Sequence, residues 1–326
     1  MRTGPELIRA TRPFAEEDRG RTWRLLAVTL AALGAAHLVA ILPMLPLWLR
    51  VVAAVLAGLT SVRFFIFYHD YLHAAIFRNS RVGHWFMVVA GYYFLAPIPV
   101  WRETHNYHHK NNAKLLGSAI GSYPTVTVGI WKGMNAKQRL AYRFARHPLT
   151  MLFGYFTVFI GGMCVSAFLR APRKHWQGAL ALLVHLVVYV VLGVFVHWSS
   201  AVLGALVPLV VACALGSYLF YAQHNFPSAN FRGRRDWDYV HAALRSSSMF
   251  DMPAVLHWFT GNIGYHHIHH LNHRIPFYRL PEAMDAVPEL QAPGRTSWRP
   301  GDVLACLRLK LWDPERQRMV GFGEVA

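Results

Sequence analysis

Long apolar stretches separated by short polar connections dominate the first two thirds of the chain. A membrane-spanning helix needs about 20 predominantly apolar residues, and four stretches come close to that length with few charges. The four comprise about residues 25–42, 51–68, 178–196 and 202–221. The pattern therefore predicts an all-α integral membrane protein with four transmembrane helices, a set of re-entrant or interfacial helices, and a helical cap.

Two further apolar stretches predict elements that enter the membrane without crossing it. Residues 85–100 form a short stretch that contains Pro97 and Pro99, which favours an interfacial or re-entrant element. Residues 149–169 are long enough to cross the membrane, but basic residues lie at both ends and a pair of glycines interrupts the apolar stretch. Because Lys and Arg concentrate in cytoplasmic segments, basic flanks on both sides predict a loop that dips into the membrane and returns.

Composition and charge agree with this class and predict its sidedness. Hydrophobic residues make up 54% of the chain and charged residues 15%, which is more apolar than a typical soluble domain. Of 33 Lys and Arg residues, only Arg50 and Arg63 lie in or beside the first hairpin. The positive-inside rule then predicts an inner (cytoplasmic) membrane protein with both termini cytoplasmic. The net charge of +17 is explained by this bias and by anionic lipid, so no nucleic-acid partner is expected.

One domain is predicted for residues 1–326. Residues 1–24 form an arginine-rich cytoplasmic segment, 25–222 the membrane region, and 223–326 a cytoplasmic cap. The first apolar stretch is interpreted as a retained span, because it is longer than the apolar region of a signal peptide and no convincing cleavage site follows. In the cap, a short helix is predicted to start after Pro281.

Three histidine clusters follow apolar stretches, two in cytoplasmic connections of the membrane region and one in the cap. Residues three and four apart lie on one helix face, so their imidazoles can converge on one point. Gathering neutral imidazoles is costly unless a cation binds them, but imidazole suits iron, zinc, copper and nickel alike. The spacing predicts a metal centre without choosing the metal. The candidate ligands are His69, His73, His105, His108, His109, His266, His269 and His270.

Three boxes in fixed order now give a specific signal: HDxxH at His69, HxxHH at His105 and HxxHH at His266. Together with the apolar stretches, they resemble the membrane fatty acid desaturase family, in its acyl-lipid and bacterial branch, from about residue 64 to 280. The resemblance implies a centre of two iron ions held by histidine, with an added ligand after the last span. His224 matches that element.

Neighbouring groups are expected to support the ligands, and the chain departs from the family at two positions. Asp70 is expected to fix a ligand's tautomer, and Asn262 to place a water. Ala74 stands after the first box where relatives commonly have glycine. His267 is an extra histidine in the third box; it is expected to point away and donate a hydrogen bond, although an exchange of roles with His266 stays open.

The resemblance implies an O2-dependent reaction that introduces a cis double bond into a fatty acyl chain carried by a membrane lipid, CoA or acyl carrier protein. The chain has no GxGxxG motif and no cysteine cluster, so electrons are expected from ferredoxin or a similar external donor with its reductase. A hydroxylase, ketolase or acetylenase of the same superfamily remains an alternative. A zinc-dependent membrane hydrolase is more distant, because nine ligands are too many for one catalytic zinc. A metal transporter would place polar residues at mid-membrane depth.

Overall fold

The computed structural model describes residues 2, 4–117 and 120–325. In this part of the chain, four helices are long and apolar enough to cross a membrane, and we call them spans 1 to 4. Their bounds are Arg19–Ile41, Leu47–Leu72, Trp176–Val196 and Trp198–Ala222. Each contains one of the predicted stretches almost completely, which confirms the predicted helical membrane architecture.

The spans exceed the apolar stretches because polar end residues continue the helices. Span 1 begins at Arg19, where the Asp18 carboxylate accepts from the Arg21 backbone N–H at 2.8 Å and caps the first turn. Span 2 continues four residues beyond Tyr68 and carries His69 in its last turns. The first histidine box is thus an extension of a membrane helix, which fixes the direction of its side chains.

A buried arginine joins three span ends on the side opposite the histidine boxes. Arg50, in the first turn of span 2, is 4% exposed. Its guanidinium donates to Ala40 O of span 1 at 3.0 Å and to Ser199 Oγ of span 4 at 2.9 Å. The connections between spans 1 and 2 and between spans 3 and 4 therefore lie at the same end of the bundle.

Spans 2 and 4 pack closely because span 2 has a glycine at their crossing. A Cβ atom added at Gly58 would lie 2.6 Å from Val211 Cβ, closer than side chains can pack. Small residues at such crossings let helix backbones approach each other. Span 4 also contains a π-helical turn, Val202–Leu206, and span 3 ends in another, Leu192–Val196.

The two stretches predicted not to cross form shorter helices. The first gives Arg81–Tyr93, followed by Ile98–Asn111, whose N-cap is Pro97. The second gives Pro148–Leu152, the π-helical Tyr155–Ser166 and Ala167–Arg170. None of these reaches the length of the four spans. Whether they dip into the membrane stays a prediction.

The remaining elements surround the histidine end of the bundle. The helix Gly4–Ala10 and the 3₁₀ turn Arg12–Ala15 precede span 1. The helices Val128–Gly133 and Ala136–Ala145 follow the second box and precede helix Pro148–Leu152. The cap has helices at Tyr239–Arg245, Ala254–Phe259, His266–Leu271, Leu280–Ala286 and Pro300–Arg308, with 3₁₀ turns at Phe277–Arg279, Pro288–Leu290 and Phe322–Glu324. Two small sheets pair Met249–Asp251 with Arg295–Ser297 in parallel and Leu311–Asp313 with Arg318–Val320 antiparallel.

The helix predicted to start after Pro281 begins at Leu280, so that prediction places the start too late. Proline is tolerated in the first turn of a helix, where its missing N–H would have no intrahelical partner. Leu280, the first residue of this helix, is 1% exposed and packs into the core.

Candidate metal centre

Four elements bring the histidine boxes together at one end of the spans. The first box ends span 2, and the second lies on helix Ile98–Asn111. The third lies on helix His266–Leu271, and His224 follows span 4 by two residues. Segments far apart in sequence thus meet in one place.

All nine predicted ligands fall into two groups. In each group, one nitrogen of every imidazole lies within 4.8 Å of those of the others. The first histidine group consists of His69, His73, His105, His109 and His269. The second histidine group consists of His108, His224, His266 and His270. Boxes two and three contribute to both groups, so the two groups adjoin.

The spacing of the ring nitrogens suits shared metal ions. In the first group, His109 Nε2 lies 3.1 Å from both His105 Nε2 and His269 Nε2. In the second, His224 Nε2 lies 3.1 Å from His108 Nε2 and 2.9 Å from His266 Nε2. Two nitrogens bound at about 2.1 Å to one ion, at right angles, lie about 3.0 Å apart. The residues present therefore fit a metal ion in each group.

Hydrogen bonds fix the tautomer of one histidine in each group. His69 Nδ1 lies 3.0 Å from the Asp70 carboxylate, and His224 Nδ1 lies 3.1 Å from Ser246 O. Both oxygens accept, so each Nδ1 donates and leaves the Nε2 lone pair free for a metal. His73 Nε2 is buried and has no hydrogen-bond partner in the structure, as expected of an atom whose partner is a metal ion.

Burial keeps the imidazoles neutral, which is the form that binds metal. Desolvation lowers the pKa of His224 to about 4. Desolvation, reinforced by neighbouring imidazoles, lowers the pKa of the other ligand candidates outside the spans well below the usual value. These are His73, His105, His108, His109, His266, His269 and His270. At neutral pH these rings therefore offer lone pairs rather than positive charge.

Asp70 and Asn262 hold the same cap segment. Asp70 Oδ2 accepts from Phe277 N at 2.7 Å, and the Asn262 amide donates to Phe277 O at 3.2 Å. Asp70 thus links His69 to the cap, while the placement of a water by Asn262 stays untested. His267 belongs to neither group; its Nε2 donates to Leu290 O at 3.0 Å, in agreement with an outward orientation.

We expect Asp70→Asn to weaken metal binding about 10- to 100-fold without unfolding the protein. Asparagine keeps the shape but presents one oxygen to two N–H donors, so His69 loses its fixed orientation. Metal retention during titration with a chelator measures the effect. Asp236→Asn, at an exposed position, serves as the matched control. Equal retention by both variants would show that the carboxylate does not support the site.

Ala74, which stands after the first box where relatives commonly have glycine, has a backbone conformation that favours glycine. Its φ is +55°, in the left-handed region, which costs a residue with a Cβ about 1–2 kcal/mol. Glycine adopts this conformation freely but loses about 0.5–1 kcal/mol more backbone entropy on folding. We expect Ala74→Gly to raise stability by up to about 1 kcal/mol, as a higher thermal midpoint in detergent. Ala35→Gly, inside span 1, should lower the thermal midpoint. A lower midpoint in both variants would contradict backbone strain at Ala74.

A cavity of about 670 Å³ connects the histidine groups with an apolar interior. Its lining includes imidazoles of both groups, from His69, His105 and His266. Apolar side chains from spans 2 and 4 and from the π-helical segment, together with Phe94, Val100 and Trp101, line most of the rest. Arg170, Lys174 and His175 also belong to the lining, and we call these three residues the basic rim.

The contacts of two aromatic side chains with the histidines, and the position of the basic rim, escape sequence reasoning. Phe220 lies one turn before His224, and its ring centroid is 4.8 Å from that of His108. Trp101 stacks on His105 with ring centroids 4.9 Å apart. The basic rim follows the π-helical segment in the chain. From the sequence alone it is recognisable only as a run of basic residues, without its position beside the cavity. Spacing of four residues before a ligand is a signal that could have identified Phe220 and Trp101.

Three isolated histidines have packing roles. His37 contacts Gly204 O at 2.8 Å and Tyr93 OH at 2.9 Å. His185 donates to Tyr92 O at 3.0 Å, and His197 contacts Ser199 Oγ at 2.8 Å. The three cysteines are free and buried. His273 differs, because its ring lies beside the first histidine group, with its centroid 4.8 Å from that of His73.

Four apolar spans and, at one end of them, two largely buried histidine groups define a membrane protein with a candidate polyhistidine metal centre. The family model described as fatty acid desaturase matches residues 46–301, and the chain belongs to this family. The resemblance seen in the three boxes is thereby confirmed. The protein is a membrane desaturase oxidoreductase.

Curated relatives agree with this family. A protein named fatty acid desaturase from Bacillus subtilis (strain 168) is 29% identical over 85% of this chain and 78% of its own length. An sn-1 acyl-lipid omega-3 desaturase (ferredoxin) from Nostoc sp. (strain 36) is 24% identical over 68% of this chain and 63% of its own. A chloroplastic omega-6 fatty acid desaturase from Spinacia oleracea is 22% identical over 84% of this chain and 61% of its own.

Proposed function

We propose that this protein introduces a cis double bond into the acyl chain of a membrane lipid, using O2 and two histidine-bound iron ions. The observation that carries the proposal is the cavity, because imidazoles of both histidine groups line the same apolar space. Its volume of about 670 Å³ lies within the range of about 300–1,000 Å³ that is usual for small-molecule sites.

The nine histidines of the two groups are the proposed iron ligands, five to one ion and four to the other. When bound, two ferrous ions supply the activation of O2 and the removal of hydrogen from an unactivated methylene. The fit rests on the nitrogen spacing of 2.9–3.1 Å and on the donor protons that Asp70 and Ser246 O receive. Zinc in a hydrolase would need fewer ligands and an open position for water.

The protein's own side chains determine which carbon reacts. Phe94, Phe159 and Cys213 are buried and line the cavity, so they exclude water and hold a hydrocarbon chain in place. Placement of one methylene near the centre then decides the position of the double bond. The chain enters with its polar end at the surface, because a head group is costly to desolvate.

The basic rim is the proposed position of that polar end. Arg170 and Lys174 are exposed, and Lys174 Nζ lies 2.6 Å from Glu103 Oε2, so the pair spans the rim from helix Ile98–Asn111. Both side chains are more than half exposed, and an exposed pair of this kind contributes little to stability. It can therefore open for a substrate at small cost. A lipid head group fits this rim better than a second apolar chain.

We further propose that the histidine end and both termini face the cytoplasm and that electrons come from a ferredoxin-like protein. The excess of basic residues on that side supports the first point. The relative from Nostoc is named for ferredoxin, and this chain has no GxGxxG motif to hold a nicotinamide cofactor. Low turnover with NADPH alone is the corresponding expectation.

Expression with a ferredoxin and its reductase in a bacterium that makes only saturated lipids tests the function. Gas chromatography and mass spectrometry of the total lipid should show a new cis alkene at one position, absent without iron or O2. Elemental analysis of the purified protein should give two iron ions per chain. An oxygenated lipid without a new alkene would favour a hydroxylase, and one zinc without iron would favour a hydrolase.

A further inference from the structure

His273 is the one partly exposed imidazole that the described contacts place against the first histidine group from outside it. Its ring centroid lies 4.8 Å from that of His73 and 5.3 Å from that of His109. Both neighbours are buried, whereas His273 reaches the surface. An aromatic ring therefore connects the surface with the centre, at a point separate from the cavity, whose lining does not include His273.

Four exposed basic residues lie next to residues at this point. Arg274 and Lys110 follow His273 and His109 directly in the chain. Arg78 donates to Ala74 O at 3.0 Å, next to His73. Arg12 follows Thr11, whose hydroxyl accepts from the Asn272 amide at 2.9 Å. We call Arg12, Arg78, Lys110 and Arg274 the basic collar.

The collar carries charge that no ion pair neutralises in the part of the chain that the structure describes. No carboxylate in residues 2, 4–117 and 120–325 forms an ion pair within 4.0 Å with any of its four members. Glu17, which accepts from Phe77 N on the same side, is paired with Arg19 at 2.8 Å. Unpaired charges around one point attract an oppositely charged protein surface and orient it.

A second basic surface provides a comparison. Arg234 and Arg235 are exposed, and the neighbouring Trp237 donates from its indole to Asn112 O at 2.8 Å. This contact reaches only the backbone after the second box, and in the part of the chain that the structure describes none of these three side chains contacts a histidine ring of either group. At the basic collar, the ring of His273 contacts imidazoles of the first histidine group directly.

We propose that an acidic one-electron carrier protein docks on the basic collar, over His273, and delivers electrons to the first histidine group. The inference rests on the proposed function, because only an iron centre of this kind needs such a carrier. It adds the position of the partner and the residues that recognise it. The substrate mouth at the basic rim stays free, so donor and lipid can be bound together.

Binding of a plant-type [2Fe–2S] ferredoxin to the full chain in lipid nanodiscs tests the docking surface without relying on turnover. We expect Arg12→Glu/Arg274→Glu to raise the Kd at least about tenfold at low salt, and Arg234→Glu/Arg235→Glu, with the same charge change, to alter it less than about twofold. Carbodiimide cross-links should join ferredoxin carboxylates to Lys110 rather than to Lys132, which is exposed elsewhere.

A second arm separates this inference from the proposed function. With dithionite as reductant and O2 added, Arg12→Glu/Arg274→Glu should form as much alkene in one turnover as the unmodified protein. Absence of alkene from the unmodified protein would contradict the proposed function. The docking surface would then be tested by the ferredoxin-binding measurement alone. Equal loss of affinity in both double variants, or cross-links at Lys132 alone, would overturn the docking surface.

Discussion

Replacing His266 with alanine is expected to reduce alkene formation more than about 100-fold and to lower the iron content from two ions per chain towards one. His266 Nε2 lies 2.9 Å from His224 Nε2, and the ring also lines the cavity, so the variant loses a ligand and part of the substrate surface. Loss of a residue that only supports a ligand typically costs about 10- to 100-fold, and loss of a ligand costs more.

His267→Gln is the matched control, because His267 is the next residue on the same helix and is equally buried. The glutamine amide can donate to Leu290 O as His267 Nε2 does, so the iron content should stay unchanged. Iron analysis, product analysis and circular dichroism of both variants form the measurement. If His267→Gln lost iron and His266→Ala kept it, the two residues would have exchanged roles.

Filling the cavity at Gly216 is expected to shorten the acyl chains that the protein accepts. Gly216 lines the cavity, and a Cβ added there meets no atom within 4 Å. It lies eight residues before His224, or about 12 Å along the helix. We expect Gly216→Phe to reduce product from long chains at least about tenfold, to spare shorter chains, and to keep the iron content.

Gly34→Phe on span 1 is the control for this prediction. A Cβ at Gly34 also meets no atom within 4 Å, but Gly34 is exposed on the outside of the bundle and is not part of the cavity lining. Its product profile should match that of the unmodified protein. The profile is measured by mass spectrometry of lipids from cells fed acyl chains of different length. An unchanged profile in Gly216→Phe would mean that the chain lies elsewhere.

The spans were predictable because apolar length is a local property of the sequence. Their ends differ from the prediction only because polar residues such as Arg50 and the capping residues extend the helices. The division of the ligands was not predictable. Spacing suggested that residues three and four apart converge on one point, but only those four apart share a group: His105 pairs with His109, whereas His108 turns to the second group. Positions three apart differ by about 60° around a helix and those four apart by about 40°.

The partners of the site also depend on packing that the sequence does not display. Asp70 was identifiable because it adjoins a ligand in the chain, while Ser246 O, which fixes the tautomer of His224, is a backbone atom 22 residues away. The basic rim and the basic collar each combine residues from distant segments. Chain topology alone decides that Lys174 meets Glu103, or that Asn272 meets Thr11.

The proposed metal shell, made only of imidazole, has a consequence for how the protein is matured. Nitrogen donors of this kind bind nickel and copper more tightly than ferrous iron, because stability rises across that part of the first transition row. The two groups thus cannot reject a competing metal by ligand type. Correct loading then depends on which ions the cell keeps available while the chain folds, and protein produced in copper- or nickel-rich medium should be inactive although its fold is intact.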